Sequence, residues 1–165
     1  MCCVPEETGA ALTLLGDAAK GWLAVFLAIV YGPDYGIGEA EIAAVALAVF
    51  VGHVYPVFFG FHGGKGVATA LGILLALNVW LGLAVLATWL LAAYMWRTSS
   101  LSALIAAGFA PLYGITILGA NSYSMAVLLL SLLLVWRHKS NIQNLLSGKE
   151  TRLGGKPKPG DSPPE

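Results

Sequence analysis

Hydrophobic residues fill most of the chain in long runs that short polar stretches separate. Runs of about twenty apolar residues are long enough to cross the roughly 30 Å hydrocarbon core of a bilayer as helices. The pattern therefore predicts an all-α protein, a helical bundle that passes through a membrane several times. The runs are Leu12–Tyr31, Ile42–Phe61, Val67–Trp96, Leu101–Leu118 and Ala120–Trp136.

The third run, Val67–Trp96, is too long for one simple crossing. It contains thirty residues without a charge, and as a single helix it would rise about 45 Å. We predict two short helices that break near Asn78–Gly82, which gives about six transmembrane helices in all. One long, tilted helix is the alternative.

Composition agrees with a membrane protein. The 165 residues are 58% hydrophobic and 11% charged, whereas a soluble domain carries about a quarter charged residues. The length suits one domain. The two cysteines, Cys2 and Cys3, are adjacent, so they predict no disulfide framework.

The cations predict the orientation. With the long run divided, every cationic boundary falls on the same side of the membrane, which the positive-inside rule places in the cytoplasm together with the N-terminus. With one long helix, Lys65 and Arg97 would face opposite sides. The cations at these boundaries and in the tail are Lys65, Arg97, Arg137, Lys139, Lys149, Arg152, Lys156 and Lys158.

Three segments should then meet at the cytoplasmic face: Gly60–Thr69, Arg97–Ser102 and Arg137–Arg152. The first reads GFHGGKGVAT. Its glycines let backbone N–H groups approach an anion, and a helix from about Gly66 would point its positive end at the same place. Lys65 adds a full charge, which predicts a phosphate site. A short turn with one lysine at the membrane edge explains the segment equally well.

The other two segments have ordinary explanations of their own. In RTSSLSAL, Ser99 or Ser100 is a natural helix N-cap, which we favour over a ligand contact. In WRHKSNIQNLL, His138 and Asn141 share a face if the segment is helical, but an interfacial amphipathic helix would look the same.

Ionisable residues inside the apolar runs form a second group. An ionisable side chain such as that of His53 is costly inside an apolar span, and residues of this kind are often functional. A neutral histidine that only packs between helices is an equal alternative. Asp17 and Lys20 share a helix face and are expected to pair. The spacing of the histidines predicts no metal site, and the chain carries no nucleic-acid-binding signature.

Four segments resemble motifs of the bacterial acyl-phosphate-dependent glycerol-3-phosphate acyltransferases. The central one, Gly52–Gly72, reads GHVYPVFFGFHGGKGVATALG. RTSSLSAL and RHKSNIQNLLSGKETR follow in the same order and spacing. LTLLGDAAKGWLAV is similar to the family's second transmembrane helix, so the resemblance covers about Thr8 to Arg152.

The resemblance implies a seven-helix protein of the bacterial inner membrane, with its active site and C-terminus in the cytoplasm. Its substrates would be acyl phosphate and glycerol 3-phosphate, and its products lysophosphatidic acid and phosphate, an early step of phospholipid synthesis. Membrane lipid would surround it, and no cofactor or metal would take part. The resemblance implies the catalytic residues Lys65, Ser100, His138 and Asn141, with Gly63, Gly64 and Gly66 around the lysine. For substrate binding we also expect Thr69, His53 and His62.

Two differences from the family stand out. The family's first helix and the motif after it are replaced by MCCVPEETGA, and His62 stands where a lysine is usual. We therefore expect either a start further upstream or a shortened, inactive homologue that binds lipid or partners. A small transporter is a third hypothesis. We predict four parts of the chain: an atypical N-terminal segment at 1–10, a transmembrane acyltransferase domain at 11–136, a cytoplasmic C-terminal motif at 137–152 and a disordered tail at 153–165.

Overall fold

A computed structural model describes residues 6–56 and 63–150 of the chain. Within these ranges the regular structure is entirely helical, as predicted, and the helices form one bundle. His62, residues 1–5 of the atypical N-terminal segment and the C-terminal tail lie outside the described residues. The helices are α1 Glu6–Tyr31, α2 Glu39–Val54, α3 Val67–Leu77, α4 Val79–Trp96, α5 Ser99–Leu118, α6 Ser122–Arg137 and α7 Lys139–Leu146, with a 3-10 turn at Gly32–Tyr35.

The predicted break in the long apolar run is confirmed at Asn78. This residue is extended and ends α3, and its side-chain oxygen accepts hydrogen bonds from the N–H groups of Trp80 (2.9 Å) and Leu81 (3.2 Å) at the start of α4. An N-cap of this kind satisfies donors that the new helix would leave unpaired. The run is therefore two helices, and the single tilted helix is excluded.

The helices differ in their ability to cross a membrane. By length and hydropathy, α1, α4 and α5 can each span one, and α6 with α7 adds a fourth span if the pair, bent by 57°, counts as one. The shorter α2 and α3 contain 16 and 11 residues, so α3 rises only about 16 Å. Each of the six predicted spans contains one helix, but six crossings remain a prediction.

The second predicted span, Ile42–Phe61, is described only as far as Pro56, and residues 57–61 lie outside the described residues. Helix α2 stops at Val54, and Tyr55 and Pro56 follow in non-helical conformations. Proline lacks an N–H and disfavours a helical conformation in the residue before it. Helix α2 therefore ends before Pro56, whereas the predicted boundary at Phe61 remains a prediction.

A close helix crossing joins α1 to α3 through two glycines. A Cβ on Gly72 would overlap the carbonyl oxygen of Ala18, and one on Gly21 would lie 2.5 Å from the carbonyl oxygen of Thr69. Small residues let membrane helices pack backbone against backbone. The crossing therefore holds the middle of α1 against the first turns of α3.

We expect Gly72→Ala to lower the melting temperature in detergent, because the added methyl group forces α1 and α3 apart. Overpacking of this kind typically costs about 1–3 kcal/mol. Gly108→Ala in α5 is the control, since its Cβ would meet nothing within 4 Å. Equal melting temperatures for the two variants would contradict the close crossing.

Candidate active site

The three segments that the sequence predicted to converge do meet in the structure. Arg137, at the end of α6, donates through Nη2 to the carbonyl oxygen of Gly63 at 2.9 Å. Glu150 accepts hydrogen bonds from the hydroxyl of Ser100 in α5 and from Nδ2 of Asn141 in α7, the latter at 2.8 Å. The glycine loop, the start of α5 and the α6–α7 region therefore form one polar cluster.

The glycine loop, residues 63–66, lies directly on the C-terminal end of α2. A Cβ on Gly63 would overlap the carbonyl oxygens of His53 and Val54, and one on Gly64 would lie 2.6 Å from Nε2 of His53. Gly66 has a φ of +80°, and its Cβ would lie 2.5 Å from the Phe50 ring. Both the close approach and the left-handed backbone therefore require glycine here.

Lys65 is exposed, as is Gly64 before it, and α3 begins two residues after the lysine. Gly66 occupies the N-cap position, where it supplies no side-chain cap. The first N–H groups of a helix are unpaired and carry partial positive charge. Lys65 and the start of α3 thus place a full charge and backbone donors side by side, which is the arrangement that binds phosphate.

Glu150 is the residue of the cluster that sequence reasoning missed. Partial burial raises the pKa of its carboxyl, but hydrogen bonds from Ser100 and Asn141 and the charge of Lys65 outweigh that effect. The net result is a pKa below the ordinary value. One signal could have identified it: Glu150 is the only acidic residue between Arg137 and Arg152.

His138 and Asn141 are both buried, and Asn141 donates to Glu150 of the cluster. Nδ1 of His138 lies 2.8 Å from the carbonyl oxygen of Leu134, which can only accept, so Nδ1 carries the hydrogen and Nε2 is left as an acceptor. Burial lowers the pKa of His138, and the charges of Lys65 and Arg137 lower it further. These effects outweigh the hydrogen bond to Leu134 and the charge of Glu150, which raise the pKa, so the neutral ring with Nε2 as acceptor is favoured.

The predicted N-cap role of Ser99 or Ser100 is wrong. Thr98 occupies the N-cap position of α5 without a side-chain cap, and its hydroxyl donates to the carbonyl oxygen of Trp96 at 3.1 Å. Ser100 lies inside the first turn and donates its hydroxyl to Glu150. The hydroxyl is therefore committed to the cluster.

Three buried polar atoms in this region lack a hydrogen-bond partner among the described residues. They are Oγ1 of Thr69, Nε of Arg137 and Oδ1 of Asn141. Buried polar groups are nearly always paired, because leaving one unsatisfied costs about 1–3 kcal/mol. A bound molecule with both donors and acceptors would satisfy such atoms.

His53 lies beneath Gly64 of the glycine loop. Among the described residues, its side chain contacts polar groups of α1 and not the cluster around Glu150. Its Nδ1 is 2.6 Å from Nζ of Lys20 and 3.6 Å from Oδ1 of Asp17. The predicted pairing of Asp17 with Lys20 is confirmed at 2.6 Å. Among the described residues, no group of three or more histidine, cysteine and acidic side chains could hold a metal ion.

Comparison with known proteins identifies the chain's relatives. A sequence model described as glycerol-3-phosphate acyltransferase matches residues 4–148. The chain belongs to the glycerol-3-phosphate acyltransferase family. A protein of that name from Janthinobacterium sp. (strain Marseille) is 63% identical over 93% of this chain and 76% of its own. The one from Herminiimonas arsenicoxydans is 60% identical over 93% and 75%.

Solved structures extend the family likeness to the fold. Two crystal structures of PlsY (YgiH), an integral membrane glycerol 3-phosphate acyltransferase, are similar to this chain. The lysophosphatidic acid form has a TM-score of 0.80 at 34% identity, over 88% of this chain and 72% of PlsY. The glycerol 3-phosphate form has a TM-score of 0.83 at 33% identity, over 91% and 74%. The chain is thus an integral membrane acyltransferase.

We expect Glu150→Gln to lower the melting temperature at pH 7, because Ser100 and Asn141 lose a charged acceptor. The folded-state pKa of Glu150 lies below its unfolded value of about 4.3. The stabilisation is therefore complete above pH 4.3 and is lost as the pH falls through the folded-state pKa. Melting curves from pH 7 to 3 should converge for the parent and the variant.

Asp34→Asn is the control for that series. It removes an exposed carboxyl in the turn between α1 and α2. The control should follow the parent protein at every pH. A gap between parent and Glu150→Gln that stays constant down to pH 3 would argue against an ionised Glu150.

Proposed function

We propose that this acyltransferase moves a fatty acyl group from acyl phosphate to glycerol 3-phosphate, releasing lysophosphatidic acid and phosphate. The observation that carries the proposal is the placement of Lys65 and the uncapped start of α3 beside the buried, unpaired atoms of Arg137 and Asn141. Both substrates carry phosphate, and both need donors and positive charge at the same place. One of the similar PlsY structures is a glycerol 3-phosphate form.

In this proposal, Lys65 and the backbone of Gly63, Gly64 and Gly66 bind phosphate oxygens. Thr69, in the first turn of α3, offers the same phosphate its buried hydroxyl, which has no partner among the described residues. Asn141 offers its unpaired Oδ1 to a substrate hydroxyl, while Nδ2 is held by Glu150. Ser100 also donates to Glu150, so this carboxylate links α5 to α7 on one side of the site.

The reaction asks mainly for positioning and charge stabilisation, because phosphate is already a good leaving group. A glycerol hydroxyl attacks the acyl carbon, and a new ester bond forms as the bond from that carbon to the phosphate oxygen breaks. We assign Nε2 of His138 as the acceptor of the hydroxyl proton, which then passes to the departing phosphate. Lys65 stabilises the negative charge that develops on that group.

The acyl chain requires an apolar path to this point. A groove of about 620 Å³ runs between α2 and α6 and ends near Trp136, the residue before Arg137. The Tyr55 and Trp136 rings lie 6.1 Å apart beside it. The groove is lined by Leu47, Val51, Leu129, Leu132, Leu133 and Trp136. We propose that the chain of the donor lies here, open to the lipid.

The cations at the helix ends indicate how the protein is oriented in its membrane. We infer that the protein lies in the bacterial inner membrane with its active site and C-terminus in the cytoplasm, where soluble glycerol 3-phosphate reaches the site. The cations Lys65, Arg97 and Arg137 support this orientation through the positive-inside rule.

Lys65→Ala should abolish acyl transfer while the protein still inserts. Removing a donor that stabilises a developing charge typically costs about 10²–10³ in kcat. The assay uses membranes that lack the native activity, with palmitoyl phosphate and glycerol 3-phosphate as substrates, palmitoyl-CoA as control donor, and lysophosphatidic acid as the readout.

Lys139→Ala is the matched control for that variant, since it removes an exposed lysine at the start of α7. It should retain the parent rate. A parent protein that inserts and folds but gives no product would favour the inactive lipid-binding homologue. Product from palmitoyl-CoA alone would reject the proposed donor.

Leu132→Trp should shift the donor preference toward short acyl chains, because the indole fills the groove. We expect kcat/KM for palmitoyl phosphate to fall by about tenfold or more, since overpacking typically costs about 1–3 kcal/mol and about 1.4 kcal/mol is tenfold, while that for decanoyl phosphate changes little. Leu112→Trp on α5 is the control, since Leu112 has a similar exposure of 55% and lies outside the groove. Equal losses with both donors would place the chain elsewhere.

A further inference from the structure

Three ionisable side chains behind the glycine loop have no part in the proposed reaction. Asp17 and Lys20 lie one turn apart on α1, and His53 lies near the end of α2. Nζ of Lys20 is 2.6 Å from Oδ1 of Asp17 and 2.6 Å from Nδ1 of His53. Ionisable groups within a membrane bundle are costly, so their alignment calls for a function.

The bond to Lys20 determines the state of the His53 ring. An ammonium group has three hydrogens to donate and cannot accept, so Nδ1 of His53 must be the acceptor. In neutral imidazole the hydrogen then resides on Nε2. Asp17 holds the ammonium group of Lys20 from the other side, which fixes its position.

The ring atom that carries this hydrogen faces the glycine loop. A Cβ on Gly64 would lie 2.6 Å from Nε2 and 3.1 Å from Cε1 of His53. Gly64 immediately precedes Lys65, so the orientation of the ring sets the path of the backbone that carries the proposed phosphate-binding lysine. The side chain of His53 is only 10% exposed, whereas that of Lys20 is 45% exposed.

We propose that Asp17 and Lys20 are positioning residues for acyl transfer. They hold His53 in its Nε2–H form against Gly64 and so keep the glycine loop in its binding conformation. The proposal rests on the proposed function for its kinetic consequence, but the state of the His53 ring can be measured without turnover.

Lys20→Met removes the donor at nearly constant length. We expect kcat/KM for glycerol 3-phosphate to fall at least about tenfold, because small displacements of a binding group can cost up to about 10²-fold. Lys20→Arg keeps a donor to both partners and should stay within about threefold of the parent. The measurement is steady-state kinetics on protein matched for folded amount by size-exclusion chromatography.

The double variant Asp17→Asn/Lys20→Met separates positioning from simple charge pairing. If the pair only compensates charge, removing both members should restore the melting temperature and the kinetics together. If Lys20 acts through His53, the melting temperature recovers while kcat/KM stays as low as in Lys20→Met. Recovery of both would overturn the proposal.

Nuclear magnetic resonance of protein labelled with ¹⁵N-histidine provides the readout that does not depend on activity. The parent should show His53 as the Nε2–H tautomer, with its signals assigned by their loss in His53→Gln. Lys20→Met should give a mixture of both tautomers. An unchanged His53 spectrum in Lys20→Met would overturn the proposal even if turnover falls. If the spectra are as expected but the parent protein has no acyltransferase activity, the proposed reaction is wrong and the positioning of His53 still holds.

Discussion

The close contact between α1 and α3 is the constraint on which the rest of the site depends. Gly21 and Gly72 allow the two backbones to touch, and this contact fixes the position of α1 along the axis of α3. In that position Lys20 reaches His53, and the first turn of α3 lies beside the end of α2. The glycine loop, residues 63–66, lies between these two helix ends, and its geometry therefore follows from a crossing that contains none of the proposed catalytic residues.

A second set of contacts completes the site from the opposite direction. Arg137 holds the carbonyl oxygen of Gly63, while Glu150 draws Ser100 and Asn141 together. Among the described residues, the cluster contains one carboxylate, that of Glu150, which hydrogen-bonds Ser100 and Asn141 and forms no ion pair with Lys65. This division of partners leaves the lysine of the glycine loop exposed to solvent while its neighbours are fixed.

Sequence reasoning succeeded where the determinants are local. Long apolar runs located the helices, the Asn78 break has a local N-cap, and the spacing of His138 and Asn141 put both on one buried face. It also brought the three cytoplasmic segments together, but it failed to identify individual side-chain partners that are distant in the chain. Ser100 bonds to Glu150, 50 residues away, and His53 contacts Lys20, 33 residues away. No periodicity encodes such pairs, because they arise only when separate helices pack.

The three glycines of the loop have a consequence for how such an enzyme can diverge. Each of them touches a different atom of α2, so a side chain added at any of these positions collides with the helix beneath. The loop therefore tolerates almost no substitution at its glycines. Changes in the preference for the acceptor alcohol have to arise on α5 or α7, around Ser100 and Asn141. Libraries aimed at a new acceptor alcohol would be best concentrated on those two helices.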